Sequence, residues 1–365
     1  MESMVNHNKI LKQAYKGKKV LLTGHTGFKG AWMLSLLHHL GAKIKGYALV
    51  PKSPNDLYNL IDGDQLCTSI IADLRDTQRL ENEIEEFQPD FIFHFAAQPL
   101  VRESYRNPKD TYEVNVIGTL NILEALKKVN QKCSVVMITT DKVYYNHEWE
   151  FAYRENDTLG GKDPYSASKA CSELVIQSYQ HAFFPKEGFD QHKKAIAVAR
   201  AGNIIGGGDW SEDRLIPDFI RAVYADKAIT IRYPNAVRPW QHVLDPLLGY
   251  LQLGQKLDEN PLNFSEPFNF GPTINDCVSV EKIITKMIDS WGEGKMEKDK
   301  NIQHMKESNF LMLDTTKVSR YLGWDPKLSL EESIQKTVEW YAVFKDSPSE
   351  IKAFTHNQIK MYLEL

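Results

Sequence analysis

A chain of 365 residues, 42% of them hydrophobic and 25% charged, has an ordinary globular composition and the length of about two domains, which excludes a disordered or fibrous protein. A formal net charge of only −4 argues against nucleic acid or a membrane surface as partner, since a general nucleic-acid binder needs a concentrated basic face. Cys67, Cys133, Cys171 and Cys277 form no C-x-x-C pair, so neither a zinc site nor a disulfide framework is expected, and a small molecule is the expected partner.

The chain opens with MESMVNHNKILKQAYKGKK, which lacks the apolar core of a signal peptide. No later run reaches the roughly 20 apolar residues of a membrane span, so a cytoplasmic protein is expected. Short β-branched or aromatic runs at 19–23, 43–49, 69–72, 91–96, 134–139 and 195–199 read as buried parallel strands. Between them lie helical patterns such as GAWMLSLLHHLG and NVIGTLNILEALKKV. Strand and helix alternating in this way predict an α/β fold, a doubly wound parallel sheet with right-handed crossovers. After Asn203 the rhythm breaks into GGGDW, RYPNAVRPW and FNFGPTIN. We therefore expect a nucleotide-binding domain over residues 1–202 and a smaller substrate-binding domain over 203–365, partly interleaved with the first.

The first turn, VLLTGHTGFKG, spaces Gly24, Gly27 and Gly30 as G-x-x-G-x-x-G between a strand and a helix. Small residues there let backbone N–H groups approach a pyrophosphate at the helix N-terminus. The acid that usually grips the adenosine ribose about 20 residues on is absent from Tyr47-Ala48-Leu49-Val50, so the turn leaves NAD and NADP open. Lys29 and Lys52 could meet a 2′-phosphate, but each is expected in solvent or near the other phosphates. Asp73 and Leu74, after the third strand, are placed for an adenine contact or for a plain turn.

The chemistry lies in DPYSASKACSELV. Asp163 suits an N-cap and Pro164 a first helical position, which puts Tyr165 and Lys169 at i and i+4 on one helix face. A nearby ammonium, the helix N-terminus and an oxidised nicotinamide would all favour phenolate, moving the Tyr165 pKa down from about 10. A tyrosine so tuned takes a proton from an alcohol while hydride leaves the same carbon.

GHTGFKG, HFAAQ, NVIGT, ITTDK, YSASK and ARAGNIIG fall in an order that resembles the extended short-chain dehydrogenase/reductases over nearly the whole chain. GFKGAW, TTDKVYYN, YRENDTLGGKDPYSASKACSELV, GGGDWSEDRLIPDFIRA and RPWQHVLDPLLGYL narrow the resemblance to the CDP-glucose 4,6-dehydratase family. It implies a Rossmann-type domain with a small nucleotide-sugar domain, NAD as cofactor, and a homo-oligomer, dimer or tetramer. Thr140, Tyr165 and Lys169 match the hydroxyl–tyrosine–lysine set, while Asp141 and Lys142 match the dehydratase pair.

The implied reaction turns CDP-glucose into CDP-4-keto-6-deoxyglucose. Tyr165 deprotonates the 4-hydroxyl as NAD takes hydride, water leaves across C5 and C6 with Asp141 as acid, and hydride returns to C6. Lys142 serves either as the C5 base or as a charged stabiliser of the enolate. The same resemblance implies cofactor contacts from Gly24, Thr26, Gly27, Phe28, Lys29, Gly30, Asp73 and Leu74. It adds Ala96, Ala97, Gln98, Asn115, Thr139, Tyr165 and Lys169 to that site. Arg102, Asn203, Arg214, Leu215, Arg238 and Asn269 are the expected substrate contacts, with Asp213 beside them, and Trp210 and Trp240 are expected as core or wall. Other readings are a dehydratase or 4-epimerase acting on a GDP, dTDP or UDP sugar, or a non-catalytic nucleotide-binding regulator.

Overall fold

The computed structural model describes residues 2–299 and 310–365. Seven strands form its main sheet: β1 (Lys19–Thr23), β2 (Lys43–Ala48), β3 (Thr68–Ile71), β4 (Phe91–His94), β5 (Cys133–Ile138), β6 (Lys194–Ala201) and β7 (Pro267–Phe270). Their order is β7-β6-β5-β4-β1-β2-β3, with every neighbouring pair parallel. The strand order reverses between β1 and β4, and in such sheets a ligand crevice opens at the carboxyl ends there.

Both faces are covered, and the strand period of two decides what each face meets. Val20 and Leu22 of β1, with Phe91 and Phe93 of β4, join the core formed with α1 (Glu2–Tyr15), α2 (Phe28–His39) and the C-terminal helices. Leu21 and Ile92 point the other way. They meet α3 (Thr77–Phe87), α4 (Gly118–Leu126) and α5 (Pro164–Ala182). Burying each such side chain contributes about 1.5–3 kcal/mol. α2 is apolar on nearly all sides because it lies between the sheet and the C-terminal helices, with Trp32 fully buried and its indole N–H donating to the Gly207 carbonyl at 3.0 Å.

The six strands expected from sequence are present to within two residues at either end. The seventh, β7, comes from beyond residue 203 and pairs with β6, Asn269 opposite Arg200. Helix α6 (Leu244–Glu259) also contributes to the core on the α2 side through Leu247 and Leu251. Three short ladders make up much of the remaining chain: Ile204–Ile205 with Gln241–His242, Ala228–Ile231 with Lys295–Lys298, and Val237–Pro239 with Cys277–Ser279. Among the described residues, no helix is long and apolar enough to cross a membrane.

Candidate active site

A cleft joins the carboxyl edge of the sheet to the segments that follow β6. Phe28, Lys29, Arg102, Thr140, Asp141, Lys142 and Tyr165 line it from the sheet side. From the far side come Gly202, Asn203, Arg214, Leu215, Arg232, Arg238 and Trp240.

The glycine turn is backbone built for close approach. Gly24 sits at φ 76°, and a Cβ there would stand 2.8 Å from the Ala96 nitrogen. A Cβ on Gly30 would stand 2.0 Å from the Gly24 carbonyl oxygen. At Gly27, the N-cap of α2, a Cβ would meet protein only at 3.5 Å, and no side chain caps the helix. The first amides of α2 are thus left to a ligand, and a dinucleotide's pyrophosphate fits this cradle. Thr26 donates to the Leu49 carbonyl at 2.8 Å and ties the turn to the end of β2. His25 is buried with its Nε2 2.8 Å from Ser69 Oγ, and burial pushes its pKa down to about 4. It is a packing residue.

Of the places expected for Lys29, the structure does not leave it in open solvent. It reaches into the cleft, where desolvation and then the charges of Arg214 and Lys169 push its pKa down to about 7 against the pull of Asp141 and Asp209. Asp73 keeps its place after β3, but Arg75 grips its carboxylate at 2.6 and 3.0 Å. Leu74 is buried, its carbonyl accepting from Asn121 Nδ2 at 2.8 Å.

Four residues expected at the ligand have side chains that are engaged within the protein. Asn115 is buried on a π-helical turn, its Oδ1 accepting from the Gln98 N–H at 2.8 Å and its Nδ2 donating to Ser168 Oγ at 2.9 Å. Gln98 folds onto its own loop, its Nε2 donating to Thr111 Oγ1 at 2.9 Å and its Oε1 accepting from the Leu100 N–H at 2.6 Å. These two amides brace the loop that carries Ala96 and Ala97. Thr139 turns its hydroxyl away from the cleft to Glu173 at 2.6 Å. Asn269 is fully buried, bonded to Tyr144 Oη at 2.7 Å and to the carbonyls of Tyr153 at 2.9 Å and Asp314 at 3.2 Å. Buried amides are held by such complete sets of partners. A fully buried ion pair between Arg200 and Glu173 joins the same network.

At the floor of the cleft, β5 ends at Ile138 and the chain turns into Thr140-Asp141-Lys142. Thr140 Oγ1 donates to Asp141 Oδ1 at 2.9 Å, and Lys142 Nζ lies 3.6 Å from the same oxygen. Asp141 is completely buried, and its Oδ2 has no hydrogen-bond partner. Asp163 caps α5 as expected, accepting from the Ser166 N–H at 2.9 Å with Pro164 at the first position. Tyr165 follows at the same cleft, where Thr140 acts on its hydroxyl. Burial pushes the phenol up to about 12, and the opposing pulls of Thr140 and of the Arg214 charge do not outweigh it. The expected downward shift is therefore reversed here, because desolvation is the largest influence on this phenol. One turn on, Lys169 Nζ donates to the Ile138 carbonyl at 3.2 Å, and burial brings it down to about 8 against the pull of Glu173.

The facing wall is made of ion pairs. Arg102 meets Asp213 at 2.6 Å, and Arg232 and Arg106 approach the same carboxylate at 3.5 and 3.6 Å. Arg214 meets Asp209 at 2.9 Å. Asn203 Oδ1 is buried without a partner. Leu215 opens the helix Leu215–Tyr224, and Arg238 is buried at the cleft with its Nη1 donating to the Val237 carbonyl at 2.9 Å. Trp240 is wall, and Trp210 packs on Tyr224, Tyr341 and Phe344 as core. Arg232 and Gly202 are lining residues that sequence reading missed. Arg232 lay in the noted RYPNAVRPW loop and Gly202 in the noted ARAGNIIG motif, but neither residue was singled out there.

This arrangement can take a proton from a hydroxyl at Tyr165, move another at Asp141 or Lys142, and hold anions on the far wall. The family profile described as GDP-mannose 4,6 dehydratase matches residues 21–337. The chain belongs to that family. It is 45% identical to the CDP-glucose 4,6-dehydratase of Salmonella typhimurium over 91% of this chain and 92% of that one. Identity to the UDP-glucose 4-epimerase of Mycoplasma pneumoniae is 27%, over 89% and 97% of the two chains. The dTDP-glucose 4,6-dehydratase DesIV of Streptomyces venezuelae, solved with NAD bound, superposes with a TM-score of 0.74 over 92% of this chain and 99% of that one, at 22% identity. The resemblance read from the motifs is thereby borne out, and the shared fold extends to both dehydratases and epimerases of this family.

Proposed function

We propose that the protein is a hydro-lyase that converts CDP-glucose to CDP-4-keto-6-deoxyglucose and water, holding NAD as a resident hydride carrier. The observation that carries this reading is Asp141 and Lys142 at the cleft floor, tied to Thr140 and close to Tyr165. A 4-epimerase eliminates no water and has no use for an acid there. The 45% identity to the Salmonella typhimurium enzyme supports CDP-glucose over other nucleotide sugars.

NAD would bind with its pyrophosphate on Gly24, Gly27, Gly30 and the first amides of α2. Asp73 and Leu74 would flank the adenine, and Ala96, Ala97, Tyr165 and Lys169 the nicotinamide half. When bound it supplies the hydride acceptor and donor, and a positive ring to oppose the upward push of burial on Tyr165. Tyr165 takes the proton of the 4-hydroxyl. The ketone that results acidifies C5, and Lys142 receives the C5 proton. Asp141 gives its proton to the departing 6-hydroxyl, which leaves as water. Asn203 and Arg238 hold the nucleotide diphosphate, arginine suiting phosphate as a planar multi-donor cation, and Arg102, Arg214 and Leu215 meet the rest of the sugar nucleotide.

Free cysteines, as found in a reducing compartment, support a cytoplasmic enzyme. Exposed apolar residues on adjacent helical segments, among them Tyr112, Ile117, Leu174 and Phe183, support a homo-oligomer, which sedimentation would measure. The deciding experiment incubates purified protein with CDP-, UDP-, dTDP- and GDP-sugars and reads the alkaline absorbance of a 4-keto product. CDP-glucose alone should give it. Product from another nucleotide, or a C4 epimer without a ketone, would replace this reading.

A further inference from the structure

Gly202 follows β6 directly, and its backbone is not in the left-handed region. Conformation therefore does not call for glycine here. Space does: a Cβ on Gly202 would stand 2.4 Å from Asp141 Oδ2, 2.8 Å from Asp141 Cγ and 2.8 Å from Pro239 Cγ.

Neither side of that contact can retreat freely. On the glycine side, Arg200 two residues earlier is pinned by its ion pair with Glu173 and by bonds to Tyr144 Oη at 2.8 Å and the Glu155 carbonyl at 2.9 Å. The next carbonyl, of Asn203, accepts from the Gln241 N–H at 3.1 Å. On the carboxylate side, Oδ1 is bonded to Thr140 and Oδ2 has no hydrogen bond of its own. The Oδ1 bond to Thr140 limits how far the carboxylate can turn.

We propose that Gly202 is a positioning residue, whose missing side chain is the space that lets Asp141 stand as an acid at the site of elimination. The proposal rests on the dehydratase reading above. The three atoms nearest that Cβ belong to Asp141 and Pro239 and none to Thr140, Tyr165 or Lys169, so a side chain at position 202 should displace the acid first and leave C4 oxidation in place. Gly202 and Asp141 would then act as one determinant separating elimination from epimerisation.

The test is Gly202→Ala given CDP-glucose. Reduced nicotinamide absorbance should build up as C4 is oxidised, while elimination falls about 10²-fold or more, the scale of a lost general acid. In an Asp141→Asn background the same change should have no further effect on elimination, because residues acting as a unit are not additive. Unchanged elimination, an equal loss of oxidation and elimination, or additive effects would overturn the proposal. Melting temperatures give a reading independent of activity. If Gly202→Ala is too unstable to assay, Gly202→Ala/Asp141→Ala should recover most of the stability lost, since the closest clash, with the carboxylate, is gone and only the contact with Pro239 Cγ remains. No recovery would assign the clash elsewhere and overturn the proposal. If wild-type protein makes no 4-keto sugar, the dehydratase reading fails, while the melting-temperature comparison still tests the clash.

Discussion

The two walls of the cleft are made of different material. The β1–α2 turn presents backbone, with glycines admitting neighbouring main chain and the first helical amides left open. The wall after β6 presents side chains already paired: Asp213 with Arg232 and, across the cleft, with Arg102, and Arg214 with Asp209. A backbone wall reads what dinucleotides share. A wall of paired charges can be altered residue by residue without disturbing the sheet, so differences in substrate are expected on that side. The floor between the walls, Thr140 to Lys142 with Tyr165, is where the proposed chemistry lies.

The largest expected effect tests whether the floor is chemistry and not binding. Tyr165→Phe should lower turnover by about 10²–10⁴-fold, the usual loss of a general base, with calorimetric affinity for CDP-glucose nearly unchanged. Affinity lost in proportion to rate would move Tyr165 into a wall. Next comes Lys142→Met. C5-proton exchange with solvent and elimination should fall by about 10²-fold while C4 oxidation survives, and exchange at the wild-type rate would remove Lys142 from the base role.

A smaller effect separates the backbone wall from mere packing. Gly27→Ala has room in the protein at 3.5 Å, so the melting temperature should hold while NAD affinity falls about tenfold, a cost of roughly 1.4 kcal/mol. Unchanged NAD affinity would show that the pyrophosphate does not lie over the turn. The smallest effect concerns Lys29, the one cation that the backbone wall sends into the cleft. Held down at about 7, it is charged below that pH and neutral above. Affinity for CDP should therefore fall a few-fold as pH rises through 7 and stay flat in Lys29→Met. An unaltered pH profile in the variant would assign the titration to another group.

Legibility followed the range over which each feature is determined. Six strands could be read because buried parallel strands are short runs of Val, Ile, Phe and Leu, a local property. β7 could not: PFNF opens on a proline, has four residues and runs into GPTIN. The floor was legible because Thr140, Asp141 and Lys142 sit at one strand end and Tyr165 and Lys169 on one helix turn. The partners of Asn115, Gln98, Thr139 and Asn269 were not legible, because a sequence lists polar groups without saying which protein groups they meet. The direction of the Tyr165 shift was missed for a related reason. Its charged neighbours could be counted along the chain, but the depth of its burial could not.

The place of β7 in the chain has a consequence for how the molecule is made. β6 is buried along its whole length, and β7, which covers its outer edge, is reached only after some sixty-five further residues have left the ribosome. Until then β6 would be an unpaired apolar edge, the kind of surface on which chains aggregate. A fragment ending at residue 202 would keep that edge open permanently. Truncation there should yield insoluble protein, and a translating ribosome must hold or shield the edge until Pro267–Phe270 arrives to close it.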